Sequence, residues 1–235
     1  MPLVTPIDIS DSSVKELVKF FNETLGFCPN SVLTMQRRPS IAKAFVQLNM
    51  AVMENHGKLT SEFKRLIAFV SSNTAGCRYC QAHTIRAAER YGSSLERLEN
   101  VWDFENQNCF SDAEKSALRF AQEASMVPVN VAESTETQLH AYWSNEDIIE
   151  IMGVIALFGY LNRWNDVMAT SLEGDAKTSG QDLLKGISWV RWYCGRGSGT
   201  FALKAPTHVP NLKRLRVRCR TLIFFPRNFD LFGRK

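Results

Sequence analysis

The sequence predicts an all-α protein, on two observations. Apolar residues recur at helical spacing from Ser13 to Leu172, in segments separated by polar or glycine-containing turns. No convincing strand alternation occurs before residue 190. With 235 residues, 45% of them apolar and 22% charged, the chain is long enough for one good hydrophobic core and has an ordinary globular composition.

Start and stop signals locate the individual helices. Gly26 ends the first helix as a C-terminal glycine, and Cys28 to Ser31 is predicted to be a turn. Ser111 and Glu114 have the spacing of a capping box at the start of another helix. The predicted helices are Ser13–Leu25, Ser40 through Val52 to a close at His56-Gly57, Thr60 through Val70, Cys77 to about Tyr91, Leu95–Phe104, Ser111 to near Met126, Val131–Tyr142 and Asn145 to about Ala169.

The C-terminal part of the chain has a different composition. Of the 28 Lys and Arg residues, 11 lie in residues 191–235, where Asp230 is the single acid. We therefore predict an all-helical domain over residues 1–175, followed by a linker and an irregular basic extension over residues 176–235. The extension could contact an anionic surface such as nucleic acid, but no nucleic-acid-binding motif accompanies it, so nucleic acid is otherwise not an expected partner.

Targeting and membrane signals are missing from the sequence. Met1–Ser13 has no basic residue and two aspartates, which argues against a secretion signal or presequence. The longest apolar run, Ile148–Leu161, is interrupted by Glu150 and is shorter than the ~20 residues of a membrane span. We expect a soluble cytoplasmic protein with no membrane partner, in which six cysteines are weak evidence for structural disulfides.

The candidate site is the segment Cys77-Arg78-Tyr79-Cys80-Gln81-Ala82-His83. Gly76 puts Cys77 at a helix N-terminus, where the helix dipole favours an anion. Cys80 lies three residues further on the same face, so the two sulfurs can form a disulfide. His83 lies one turn beyond Cys80 and can take its proton. We expect Cys80 to be the reactive thiolate, and Cys77, at an exposed helix start, to resolve the sulfenic acid and meet an external reductant. Because Cys77 lies nearer the helix N-terminus, the dipole favours its thiolate more, and the two roles could be exchanged.

Other interpretations of this segment remain open. Structural zinc needs four ligands, and Cys77, Cys80 and His83 supply three, so Cys109 or another residue would have to join them. A thioredoxin-like site needs a preceding strand, whereas the preceding segment is predicted to be helical. The two cysteines could also be inert core residues.

Two stretches of this sequence resemble a known family. Arg65-Leu-Ile-Ala-Phe-Val with Ala75-Gly-Cys-Arg-Tyr-Cys-Gln-Ala-His-Thr84 resembles the signature helix pair of alkylhydroperoxidase D (AhpD)-like, carboxymuconolactone decarboxylase proteins. Phe158-Gly-Tyr-Leu-Asn-Arg-Trp-Asn-Asp166, with Ser171-Leu-Glu173, resembles their C-terminal helix. The resemblance runs from Phe20 to Gly174. It implies an AhpD-like helical bundle that forms trimers or hexamers, and thiol-dependent peroxidase or disulfide-reductase chemistry without a metal or organic cofactor.

The sequence departs from the family pattern at two positions. Well-studied members have a histidine four residues after the second cysteine, where this chain has Thr84, and His83 lies one residue earlier. They also have a glutamate twelve residues before the first cysteine, as the base of a proton relay, where this chain has Arg65. Glu62, one turn earlier, could replace that glutamate, or it could simply stabilise the start of its helix. Arg65 could instead stabilise a thiolate directly.

Polar residues also occur in the last long helix. Asn162, Arg163, Asn165 and Asp166 interrupt an otherwise apolar pattern. Since buried polar groups must be paired, these residues are expected at a subunit contact or at the rim of the site.

Three functions follow from these observations. The first is a thiol-dependent peroxidase that reduces hydroperoxides with Cys77, Cys80, His83 and Glu62, and is regenerated by a dithiol or protein reductant. The second is a non-catalytic oligomeric member of the family. The third is a lactone decarboxylase, which an intact pair of thiols disfavours because that reaction needs acid–base groups and anion binding.

Overall fold

The computed structural model describes residues 1–55, 57–187 and 189, and its regular elements in these ranges are helices. The all-α fold class is therefore confirmed. The α-helices are α1 Lys15–Thr24, α2 Asn30–Met35, α3 Pro39–Met53, α4 Ser61–Ala75, α5 Arg78–Arg90, α6 Leu95–Asn100, α7 Asp112–Ala124, α8 Glu133–Tyr142, α9 Asn145–Met168 and α10 Gly174–Leu183. Short 3₁₀ segments occur at Ser12–Val14, Val101–Asn106 and Lys185–Ile187.

Helix α4 lies at the centre of the bundle. Every residue from Phe63 to Ser72 is buried, because α5, α7 and α9 all pack against this helix. Lys64 is fully buried within it, and its ammonium group donates to the Val52 carbonyl at 2.9 Å and pairs with Glu150 at 2.8 Å. These contacts satisfy a charge that would otherwise be costly to bury.

One glycine reverses the chain between α4 and α5. Gly76 has a φ of 80°, in the left-handed region, and caps the C-terminus of α4. Cys77 follows immediately as the N-cap of α5. Thr60 caps the start of α4 by accepting from the Phe63 amide, as expected. The tight turn presses the start of α5 against α4, and α9 packs against both helices.

Most of the predicted helices are confirmed, and the capping box of Ser111 and Glu114 is present. Ser144, not Asn145, caps α9 and forms a second capping box with Asp147. The segment predicted as a turn at Cys28–Ser31 leads into α2, whose residues Ser31 to Met35 are all buried. Helix α2 has only six residues, which is too short for periodicity to reveal.

The helical domain extends past the boundary that we predicted at residue 175. That boundary falls inside α10, which packs against α5 and buries Ala176, Ser179, Gly180 and Leu183. The sequence of this segment is polar and contains glycine, so it did not predict a helix. The helix buries mainly small residues. The basic extension predicted from the C-terminal sequence lies, from residue 190 on, outside the described residues. No helix in the described part of the chain is long and apolar enough to cross a membrane.

The packing of α10 leads to a test of its contribution to the core. Leu184, directly after α10, is fully buried. We expect Leu184→Ala to lower the free energy of unfolding by about 2–5 kcal/mol, the usual cost of emptying a Leu site. Urea unfolding monitored by circular dichroism measures this. Leu95→Ala is the control, because Leu95 is 60% exposed and should cost less than about 0.5 kcal/mol. Equal effects would show that α10 does not belong to the cooperative unit.

Candidate thiol site

The two sulfurs of the motif lie in contact at the start of α5. Both thiols are free, and Sγ of Cys77 is 2.8 Å from Sγ of Cys80. The Cys80 amide donates to the Cys77 sulfur at 3.3 Å, so Cys77 also serves as the N-cap. Helical spacing predicted this proximity, and the geometry allows disulfide formation with little backbone movement.

A mostly apolar pocket with a cavity volume of about 100 Å³ opens onto one of these sulfurs. Helix α5 contributes Cys80, His83, Thr84 and Ala87, which lie on one face of the helix. The apolar part of the wall consists of Phe21, Leu25, Pro29, Val32, Phe45, Met53, Phe158 and Leu161. Cys77 is not part of the lining. Cys80 is therefore the sulfur that a small molecule in the pocket would meet.

Asn165 of α9 supplies a hydrogen bond to Cys80. Its Nδ2 lies 3.4 Å from Sγ of Cys80, and both side chains are buried. This contact holds the Cys80 sulfur beside the pocket. The position of Asn165 confirms that at least this polar residue of α9 belongs to the rim of the site.

Cys77 has different surroundings. Its exposed fraction is 0%, so our expectation of an exposed helix start is wrong. The physical reason is that the α4–α5 turn is itself packed against α9. Burial raises the pKa of the Cys77 thiol strongly, and its neighbours Cys80 and Asp166 raise it further. Asp166, an exposed residue, interacts with this thiol closely enough for each group to shift the pKa of the other. Asp166 thus connects a buried thiol to the surface.

His83 lies between two oxygen atoms that can only accept. Its Nδ1 is 2.9 Å from the Tyr79 carbonyl oxygen, and its Nε2 is 2.9 Å from Oε2 of Glu173. The contact with Glu173 is an ion pair when the ring is protonated. The ring also stacks on Tyr79, with centroids 4.0 Å apart. These contacts fix the orientation of the imidazole beside the pocket.

Glu173 is the functional candidate that sequence reasoning did not select. It follows α9 and accepts hydrogen bonds from the Tyr79 hydroxyl at 2.9 Å and from the Asn30 amide. Burial raises the pKa of Glu173, but the positive charge of His83 and these donors outweigh burial and leave that pKa lowered. The one signal for Glu173 in the sequence was its place at the end of the segment Ser171-Leu-Glu173, which resembles the family.

Glu62 lies in a different network. Its carboxylate accepts from the Ser93 hydroxyl at 2.6 Å and from Nε of Arg97 at 3.2 Å. It does not line the pocket, and the structure does not bring it together with His83. Arg65 of α4, in contrast, does line the pocket, and its guanidinium group stacks on the ring of Tyr91. Glu173, not Glu62, is the carboxylate that contacts His83.

The remaining described cysteines are poor nucleophiles. Burial raises the pKa of Cys28 to about 12, and the charge of Glu173 adds to this. The pKa of Cys109 is also raised, mainly by burial. Within residues 1–55, 57–187 and 189, no three His, Cys, Asp or Glu side chains are grouped as metal ligands.

The lowered pKa of Glu173 leads to a prediction about how the free energy of unfolding depends on pH. A carboxylate with a lowered folded pKa stabilises the fold above its unfolded value, about 4.3, and loses this contribution as the pH falls through the folded value. We therefore expect the stability difference between the wild type and Glu173→Gln to be largest near neutral pH and to shrink on acidification. Urea unfolding at a series of pH values measures it. Glu23→Gln, on the exposed surface of α1, is the control and should show no such trend; a difference independent of pH for Glu173→Gln would contradict the assignment.

Solved structures with this fold are similar to the chain in sequence as well. The debrominase Bmp8 is 32% identical, with a TM-score of 0.71, over 77% of this chain and 97% of that protein. A cysteine-to-alanine variant of Bmp8 in complex with 2,3,4-tribromopyrrole gives a TM-score of 0.72 at 31% identity. A peroxidase-related protein from Ralstonia eutropha JMP134, with an AhpD core, is 20% identical over 74% of this chain and 94% of its own, with a TM-score of 0.64. At that identity it supports the fold alone.

Comparisons of sequence give the family. The uncharacterised protein YnjA of Escherichia coli (strain K12) is 33% identical over 99 residues, which is 42% of this chain and about half (54%) of that protein. The model of the carboxymuconolactone decarboxylase family matches residues 39–123, which include α3 to α7 and the cysteine pair. Together with the similarity to Bmp8 over nearly its full length, this match shows that the chain belongs to the carboxymuconolactone decarboxylase family, with an AhpD-like fold.

Proposed function

We propose that this protein is a thiol-dependent reductase of small hydroperoxides. One observation carries the proposal: Cys80 opens onto an apolar pocket while its sulfur contacts a second, fully buried thiol. A nucleophilic thiol and a resolving thiol are the two parts that this chemistry needs.

In the first step, the Cys80 thiolate attacks the outer oxygen of the hydroperoxide. The O–O bond breaks, the sulfur becomes a sulfenic acid, and the alkoxide leaves and takes a proton. His83 lines the pocket beside Cys80, so we assign the donation of that proton to it. Glu173 is then a positioning residue, which orients the imidazole and stabilises its charge.

In the second step, the Cys77 sulfur attacks the sulfenic sulfur of Cys80. An S–S bond forms, the S–O bond breaks and water leaves, so that one disulfide and one alcohol are the products. Since Cys77 is fully buried, its proton cannot pass directly to solvent. Asp166 is exposed and interacts with this thiol, so we assign to it the role of proton acceptor in this step.

The burial of both sulfurs limits the reductant. Cys77 and Cys80 are 0% and 2% exposed, so the reductant must reach Cys80 through the pocket rather than Cys77 from outside. A slender dithiol, either free or carried on the arm of a protein, meets this requirement. Attack at Cys80 releases Cys77 as the leaving thiolate, which can recover its proton from Asp166.

A second candidate is reductive debromination, supported by the similarity to Bmp8 and by the apolar pocket. The Cys80 thiolate would attack bromine, the electron pair of the C–Br bond would stay on carbon and take a proton, and Cys77 would displace bromide to give the same disulfide. The two candidates can be separated with a dithiol present, by measuring bromide release from 2,3,4-tribromopyrrole against consumption of tert-butyl hydroperoxide. The faster reaction identifies the function.

We further propose that the protein is a homo-oligomer. Helix α9 exposes Ile149 by 71%, Met152 by 40%, Tyr160 by 41% and Val167 by 67%, although its opposite face lies in the core. An apolar stripe of this kind on a long helix suits contact with a second copy of the chain. Analytical ultracentrifugation distinguishes a trimer or hexamer from a monomer.

The roles of the two cysteines can be tested by trapping. On treatment with tert-butyl hydroperoxide we expect the wild type to form a Cys77–Cys80 disulfide. Cys77→Ser should stop at a sulfenic acid on Cys80, which dimedone traps, and Cys80→Ser should give neither product. Peptide mapping by mass spectrometry detects each species, and Cys109→Ser, outside the pocket, should behave as the wild type. If both thiols of the wild type stay alkylatable after excess peroxide, the non-catalytic alternative is favoured instead.

The role of Asp166 can be tested by separating the two steps. We expect Asp166→Asn to form the sulfenic acid at the wild-type rate but to close the disulfide roughly tenfold or more slowly, as expected for loss of a general base. Rapid-quench samples with dimedone follow both species. Glu146→Gln is the matched control, because it removes an exposed acid from the other end of α9. An unchanged rate of disulfide closure in Asp166→Asn would remove Asp166 from the mechanism.

A further inference from the structure

The pocket extends well beyond the reactive sulfur. Its lining on α5 runs from Cys80 to Ala87, roughly 10 Å at the rise of an α-helix. Arg65 of α4 lines the same pocket. Its guanidinium carbon lies 3.3 Å from the ring centroid of Tyr91, which is one helical turn after Ala87. The positive charge and the Cys80 sulfur therefore lie toward opposite ends of an elongated space.

The guanidinium of Arg65 is only partly satisfied by the protein. Arg65 is 7% exposed, its Nη1 donates to the Ser61 carbonyl, and its Nε is buried without a hydrogen-bond partner. Although burial lowers the pKa of Arg65 to about 10, the group stays charged at neutral pH. Among the described residues its contacts are a carbonyl and an aromatic ring, and no carboxylate there pairs with it. A buried charge without a counter-ion is costly, so an anion that enters the pocket would relieve that cost.

The rest of the wall decides what kind of anion fits. Between the two ends, the pocket is lined mainly by aliphatic and aromatic side chains, among them Phe45, Met53 and Phe158. These surfaces favour a hydrocarbon chain and exclude a small hydrated ion. A glutamate at the position of Arg65, as in the family pattern, would repel a carboxylate, whereas arginine attracts one.

We propose that the pocket binds an apolar organic carboxylate, whose carboxylate group pairs with Arg65 while its hydrocarbon chain extends toward Cys80. This proposal rests on the proposed function, and together the two make the substrate a hydroperoxy carboxylate. Its hydroperoxide oxygen is transferred to Cys80, and the products are the hydroxy carboxylate, water and the Cys77–Cys80 disulfide.

Redox-inert ligands test the binding step alone. Isothermal titration calorimetry of the reduced wild type should give an affinity for octanoate that is roughly tenfold or more above those for octan-1-ol and acetate, because a buried charged hydrogen bond contributes that much. Octan-1-ol supplies the chain without the charge, and acetate the charge without the chain. Arg65→Gln should abolish the preference for octanoate over octan-1-ol, and Arg65→Lys should keep part of it. Arg86→Gln, which removes a cation from α5 outside the pocket, is the control and should bind as the wild type does.

The wild-type comparison is decisive even if the Arg65 variants fold poorly. No preference for octanoate over octan-1-ol in the wild type overturns the proposal, as does an unchanged preference in Arg65→Gln. Because these ligands contain no oxidant, such a result leaves the peroxide trapping experiments untouched. Conversely, a failure to form the disulfide with peroxide would remove the proposed function while the measured carboxylate affinity would stand.

Discussion

The site depends on one constraint, the burial of the tight turn that joins α4 to α5. The left-handed Gly76 lets the chain reverse within one residue, and Cys77 then caps the next helix. Because α9 packs against both helices, this helix start is closed to solvent instead of open to it. The nucleophilic sulfur therefore has access only to the pocket, and the second sulfur has none. In the proposed mechanism, the proton of the buried Cys77 thiol must therefore pass to a protein side chain.

That constraint explains why one side-chain amide and two carboxylates surround the cysteine motif. Asn165 donates to Cys80, Asp166 interacts with Cys77, and Glu173 holds His83. The first two lie one residue apart near the end of α9, and the third follows in the loop that leads to α10. A single helix end thus supplies one polar partner to each reacting group. In a solvent-exposed site, water could have filled all three roles.

The sequence predicted the helices, the caps and the meeting of Cys77 with Cys80, because these depend on residues close together in the chain. It did not predict that Cys77 is buried, since position at a helix N-terminus says nothing of what packs on it. The sequence also suggested Glu62, one turn from Arg65, as the carboxylate of the site. In the structure, the carboxylate against His83 belongs to Glu173, 111 positions further along the chain. Local spacing cannot reveal such a partner, because only the packing of α9 brings it to α5. The same limit hid α10, whose polar sequence buries small residues.

The exchange of a glutamate for Arg65 then has a consistent physical meaning. A glutamate near the pocket could hold the histidine, but Glu173, which itself accepts from the Tyr79 hydroxyl and the Asn30 amide, already contacts it. The residue at position 65 of α4 therefore does not need to hold the histidine and can carry the opposite charge. Two carboxylates competing for one imidazole would repel each other in a buried site, whereas one carboxylate and one guanidinium at separate ends of the pocket do not. In the proposed mechanism, the site thus has its proton donor, His83, at the sulfur end and its anion-binding group, Arg65, at the far end. A substrate with an oxidised group at one end of an apolar chain and a carboxylate at the other would complement both.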